Sequence, residues 1–154
     1  MELRFLQSGT VEMDHARLLF PNFEGRGDKF NREGERNFTV IIPTQEMADE
    51  LVAEGYNIKV RQREDEDPSF TLKVKVKFNG HGPHVYLDMD NGQPIELDED
   101  DVKCIDKIDI IDCDIDIRPY DWEANGKTGR TAYLKNILVR QDVNRFANRH
   151  GSED

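Results

Sequence analysis

The stretch Lys73-Val-Lys-Val-Lys77 sets an ammonium group at every second position. On an extended strand, residues two apart share a face, so Lys73, Lys75 and Lys77 form a row of cations. Arg118, Tyr120 and Trp122 repeat that spacing and put one cation and two aromatic rings on a second strand face. Beyond the Asn125-Gly126 turn, Lys127 and Arg130 add charge, and Tyr133 and Lys135 share a face of the returning strand. Residues 26–36 contribute Arg26, Lys29, Phe30, Arg32 and Arg36, a basic stretch with an aromatic inside it. Cations that follow phosphates, beside rings on which bases stack, are what a single-stranded nucleic-acid site requires. Together these residues form the expected binding set.

Two other groupings compete with that chemistry. Asp112, Asp114 and Asp116 share a strand face, and such carboxylates can hold a divalent ion, as in a metal-dependent nuclease. A nuclease needs acids converging from different elements, however, and the sequence places no matching partner. The same stripe could instead lie beside the lysines as a cross-strand charge ladder, each pair contributing about 0.2–1 kcal/mol; neither stripe would then be a site. His81-Gly-Pro-His84 has the donors for a weak metal site, but the sequence reads more simply as a turn. No nucleophile elbow, phosphate loop, dinucleotide fingerprint or zinc-protease helix motif is present. The expectation is a non-catalytic protein with no cofactor or metal.

The 154 residues suit a single domain with its own core. Only 36% are hydrophobic and 34% are charged, but the apolar residues are periodic, which disorder does not produce. The formal net charge of −11 opposes loose association with nucleic acid. It supports a rival reading, a protein whose acidic rows at 64–67, 98–101 and 112–116 mimic DNA and occupy a host protein. The patterned lysines favour the binder, because a mimic has no use for them. At physiological salt the screening length is about 8 Å, so a local basic groove decides. No run approaches the ~20 apolar residues of a membrane span, and the N-terminus lacks a signal-peptide core. Two cysteines without a CxxC pair argue against structural zinc. These features point to a cytoplasmic protein with no membrane partner.

The elements that must position these residues are mostly strands. Strands are expected at 11–20, 38–42, 57–63 (with Ile58 and Val60 inward), 70–78, 85–87, 108–122 and 131–139. In the fourth of these, 70–78, Phe70, Leu72, Val74, Val76 and Phe78 share one face and alternate with the lysines. In 108–122, Ile111, Cys113, Ile115 and Ile117 should face inward. One helix follows Pro43: Thr44 is its N-cap, Met47, Leu51 and Val52 its apolar side, and Gly55 its end. A short acidic helix or turn is expected at 97–105, and a short C-terminal helix begins at Asp142. Asn125-Gly126 signals a tight hairpin. Several strands, one inserted helix and a long closing hairpin fit a mostly-β, OB-fold-like antiparallel barrel. Its core should span about residues 9–146, with 147–154 a polar acidic terminus; a β-sandwich is the alternative.

Four segments carry a resemblance to a known group: Phe30-Asn-Arg-Glu-Gly-Glu-Arg-Asn-Phe38, Lys73-Val-Lys-Val-Lys-Phe78, Asp116-Ile-Arg-Pro-Tyr-Asp-Trp122 and Asn125-Gly-Lys-Thr-Gly-Arg-Thr-Ala-Tyr-Leu134. From about Gly9 to Phe146 the chain resembles single-stranded DNA-binding proteins with an oligonucleotide-binding fold, encoded by phages and prophages of Gram-positive bacteria. The resemblance implies single-stranded DNA as partner, support of phage replication or recombination, and recruitment of phage or host enzymes. It leaves self-association open. Gly151-Ser-Glu-Asp154 is only a stub of the acidic tail that such proteins often use for docking.

Overall fold

The structure is a computed structural model and describes residues 1–80, 82–89 and 92–142. Among the described residues, nine strands form one sheet: β1 (Glu2–Phe5), β2 (Val11–Asn22), β3 (Arg36–Ile42), β4 (Lys59–Arg61), β5 (Ser69–Val76), β6 (His84–Asp88), β7 (Ile95–Leu97), β8 (Ile110–Ala124) and β9 (Lys127–Gln141). Helix α1 (Gln45–Ala53) follows β3, and a 3-10 helix (Val102–Lys107) precedes β8. The expected C-terminal helix and His81 lie outside the described residues.

Strands β5, β3, β2, β8 and β9 are neighbours in that order, and β9 returns to β5. That last contact closes a five-stranded barrel of OB type. The wall is antiparallel except at this seam, where Val74 pairs with Ala132 and Lys75 with Tyr133 in parallel. The outer part of the same β9 edge carries β6, also parallel, from His84–Asn136 to Asp88–Arg140. Closure pairs the backbone groups that an open sheet would leave along its edges.

The period-2 pattern sets the two faces. Phe38, Val40 and Ile42 point inward with Leu72, Val74, Cys113, Ile115, Ile117 and Leu134, all buried. Burial pushes the Cys113 thiol up to about 12, so it acts as a small hydrophobe. Pro43 ends β3, and Thr44 Oγ1 accepts from Met47 N at 3.2 Å, which starts α1. Ala48 and Leu51 bury the helix against the core. At the hairpin, Asn125 and Gly126 take φ of 52° and 77°, the left-handed pair that a two-residue turn between twisted strands demands.

The structure corrects three inward assignments. Ile111 is exposed because the β8–β9 register shifts between Ile110 and Asp112; Ile110 packs against the core instead. Val52 is exposed, and Ala48 takes its place on the helix's buried side. Val60 pairs with Phe70 yet stays exposed, because β4 is the outermost strand at that end of the sheet. Phe78 lies beyond the end of β5 and, partly buried, packs against the core as its place in the alternation implies. Strands β1 and β7 were not visible in the sequence.

Ala132 is almost fully buried in the seam. Enlarging it with Ala132→Leu forces β5 and β9 apart, and overpacking of this kind costs about 1–3 kcal/mol. Thermal unfolding should show a clearly lowered Tm; an unchanged Tm would mean that the seam adds nothing to the fold.

Candidate nucleic-acid interface

The two charged stripes do not face each other. The lysines stand on β5, between β3 and β9, whereas the aspartates stand on β8, between β2 and β9. The aspartates are occupied locally. Arg140 Nε donates to Asp112 Oδ1 at 2.5 Å, and its two terminal nitrogens donate to Asp114 at 2.8 and 2.6 Å. His15 sits in a bulge of β2 at φ 56°. There its Nδ1 pairs with Asp112 Oδ2 at 2.9 Å, and its backbone N–H donates to Asp114 Oδ1 at 3.0 Å. Asn136 Nδ2 donates to Asp116 at 3.1 Å. The charge ladder with the lysines is thereby excluded, and the Arg140 guanidinium bridges the Asp112 and Asp114 carboxylates.

These contacts shift the acids. Burial would raise Asp112, but hydrogen bonds from His15 and Arg140 outweigh it and hold the carboxyl below its ordinary value. The Arg140 hydrogen bond does the same for Asp114.

The lysine row has no such partner. Among the described residues, no ion pair reaches Lys73, Lys75 or Lys77. They line a groove of about 450 Å³ together with Gly34, Arg36, Asn37, Phe78, Glu99 and Tyr133. The seam register sets Lys75 beside Tyr133, and the hairpin register sets Tyr133 beside Arg118. The Arg118 guanidinium lies 5.3 Å from the centre of the Tyr133 ring, and Tyr120 meets Tyr133 edge-on at 5.8 Å. A second depression of about 310 Å³ continues past Lys77 to Arg118 and Lys135. The Lys135 ammonium reaches Thr10 Oγ1 at 3.4 Å. Lys77 lines both depressions, which together gather Lys73, Lys75, Lys77, Arg118, Lys135 and Tyr133 from β5, β8 and β9, with Glu35 and Glu99 also lining the first.

The remaining expected residues fall into two flanks. Residues 23–35 form the loop between β2 and β3. Asp106 accepts from the backbone N–H groups of Phe23 and Glu24, both at 2.9 Å, and fixes the loop's base. Asn31 Nδ2 donates to the carbonyls of Arg26, Arg32 and Glu35 and fixes its interior. Phe30 is left 84% exposed, with the Lys29 ammonium 5.4 Å from its ring centre and Arg32 also exposed. Arg26 lies near Glu24. On the other flank, Lys127 is exposed, and Trp122 is 40% exposed. The indole lies so close over Gly129 that a β-carbon there would fall within its ring.

Two predicted cations are engaged in structural contacts. Arg130 donates to Asp121 through two nitrogens at 2.7 and 3.0 Å and to the Glu54 carbonyl at 2.6 Å, with its guanidinium over Tyr56. It clasps the hairpin to the end of α1. Arg36 donates to the Phe23 carbonyl at 2.8 Å, stacks on Phe78, and pairs with Glu99 at 3.1 Å inside the groove.

Sequence reasoning missed Lys59 and Arg61. Lys59 pairs with Thr71 and Arg61 with Ser69, and residues opposite each other share a face. Both therefore extend the outward side that carries Lys73 and Lys75. The alternation around Val60 held this signal, but it could be used only once β4 was known to pair with β5. Glu99 was also missed as a groove residue; nothing in the local sequence connects it to Arg36. His84, from the His81-Gly-Pro-His84 segment, pairs through Nδ1 with Glu96 at 2.8 Å.

The fold and this surface define the class: an OB-type barrel with a basic, aromatic-bearing outer wall. The family described as "Putative phage ssDNA-binding domain" matches residues 3–150, and the chain belongs to that family. Among solved structures, the chain is similar to the single-stranded DNA-binding protein of bacteriophage Enc34 in a C-terminally truncated form. The TM-score is 0.58 at 18% identity, covering 90% of this chain and 88% of that one. The same phage protein in complex with ssDNA gives a TM-score of 0.58 at 16% identity, covering 91% and 90%. A comparison with curated protein sequences finds no match.

The depressed Asp112 and Asp114 contribute stability that is complete above the unfolded value of about pH 3.9 and is lost as pH falls through their lower native values. Arg140→Met should cost about 2 kcal/mol at pH 7, the scale of hydrogen bonds to charged groups. Urea unfolding should show the gap between the two proteins narrowing toward about pH 3. A gap that is constant with pH would mean that Arg140 acts by packing alone.

Proposed function

We propose that the chain is a non-catalytic single-stranded DNA-binding protein. The strand crosses the outer face of β3, β5 and β9, between the 23–35 loop and the β8–β9 hairpin. The observation that carries this reading is the unpaired row Lys73, Lys75 and Lys77 beside Tyr133, in a groove remote from the neutralised aspartates. This is also the part of an OB barrel that binds oligonucleotides, flanked by the corresponding loops, and family membership supports the same choice. Lys73, Lys75, Lys77, Arg118 and Lys135 meet phosphates; Tyr133, Tyr120, Trp122 and Phe30 offer faces for bases. Lys29, Arg32 and Lys127 add charge at the flanks, and Arg36 joins through the groove wall. Arg130 acts chiefly by holding the hairpin that carries Trp122.

Of the three acidic rows that a DNA mimic would use, 112–116 is hydrogen-bonded to its own chain through Arg140 and Asn136, which weakens that rival. The role we assign is coating exposed strands during phage replication or recombination in the host cytoplasm, with enzymes of those processes as protein partners. Among the described residues, no helix is long and apolar enough to cross a membrane.

The direct test is titration of a poly-dT oligonucleotide at low salt, followed through Trp122, the chain's one tryptophan. Quenching by the parent chain is expected. The triple change of Lys73, Lys75 and Lys77 to Glu should abolish binding while leaving Tm nearly unchanged. Retained binding would refute the site, and a large fall in Tm would assign the lysines a structural role. Glu99→Gln removes a carboxylate from the groove and frees Arg36 for phosphate. It should tighten binding by up to about fivefold, the scale of one exposed ion pair. Weaker binding would show that the Glu99–Arg36 pair is needed to shape the site.

A further inference from the structure

Phe20 is spent against the ordinary rules of folding. Its ring is 78% exposed, and its backbone sits at φ 53°. A bulky residue in the left-handed region is a true outlier, and an exposed ring gains little from burial. Such strain persists where the surroundings impose it, and it clusters at functional sites.

The register shows where this happens. Leu19 pairs with Thr39 and Asn22 with Asn37, so Phe20 and Pro21 bulge opposite Phe38. Inside the wall, Phe23 and Phe38 are stacked 5.5 Å apart and fully buried; the aromatic space beneath the bulge is filled. The bulge turns Phe20 to the outside. The same β3 residues meet the lysine row on their other side, Thr39 opposite Lys73 and Asn37 opposite Lys75. Phe20 therefore stands two strands from the cations, about 10 Å across the sheet. It also stands where β2 enters the 23–35 loop, whose base is tied by Asn22 accepting from Gly25 N and Arg26 N.

We infer that Phe20 is a base-stacking platform at the β2 side of the interface, reached by the strand after it crosses Lys73 and Lys75. This rests on the reading of the β3–β5 face as the single-strand site. It lengthens that site by one strand and assigns the far rim to a base contact rather than a phosphate contact. The left-handed backbone is the means by which a residue next to the inward-facing segment presents its ring outward.

The test pairs stability with binding in one variant. Asparagine tolerates the left-handed conformation but offers no ring. Phe20→Asn should raise Tm by about 2–4 °C through relief of strain. It should also weaken binding of a poly-dT oligonucleotide about tenfold, the scale of one lost base–aromatic stack. Phe20→Tyr should keep the parent affinity. On an abasic oligonucleotide of the same length, the parent and Phe20→Asn should bind alike, because no base is present to stack. Equal dT affinity of parent and Phe20→Asn would overturn the inference while leaving the proposed function standing. Equal weakening on the abasic strand, or a fall in Tm, would overturn it by showing that the ring shapes the fold. A parent chain that does not bind dT at low salt would remove both the function and this platform.

Discussion

Two parallel residue pairs, Val74 with Ala132 and Lys75 with Tyr133, close the barrel, and the placement of charge on its outer wall follows from them. The seam brings β5 against β9 and so sets the lysine row beside the Tyr133–Arg118 contact. It also fixes β8 on the opposite edge of β9, which takes the aspartate stripe away from the lysines. Had β5 paired with β8, opposite charges would have met across the strands and cancelled. One topological contact thus decides whether the cations are free.

Arg140 completes the separation. It lies on β9, near the end of the strand away from the hairpin, and its fork spans Asp112 and Asp114. His15 reaches the same pair from a bulge in β2. Three strands therefore converge to neutralise an acidic stripe within the wall. The formal charge of −11 is a property of the whole chain, but binding at a groove depends on charges within roughly one screening length, about 8 Å. An acidic protein with a locally basic face also discriminates against indiscriminate association with polyanions.

What the sequence revealed was local. The alternation in β5 and in the 113–117 part of β8, the Thr44 cap with Gly55 beyond it, and the Asn125-Gly126 turn are each encoded in a few neighbouring residues, and the structure realises them. What it concealed depends on register. Ile111 faces out because a bulge shifts β8 against β9. Strands β1 and β7 are only 4 and 3 residues long, too short to carry a period, and exist by pairing with a longer neighbour. The site divides in the same way. The lysine row and the tyrosine-bearing hairpin could be read from spacing, whereas the partner that neutralises the aspartates is 26 to 28 residues away from them. Lys59 and Arg61, Glu99 and the clasp formed by Arg130 likewise appear only once strands are paired, because propensity and alternation say nothing about which strand lies next to which.

The central claim is that the β5 cations are unneutralised and available to phosphates. The salt dependence of single-strand affinity measures this most directly, since each neutralised phosphate contributes a slope of about −0.7 in log K against log salt. For a short dT oligonucleotide, engagement of Lys73, Lys75, Lys77, Arg118 and Lys135 predicts a slope of about −3 to −4. A slope near zero, or affinity that does not fall as salt is raised, would contradict the account.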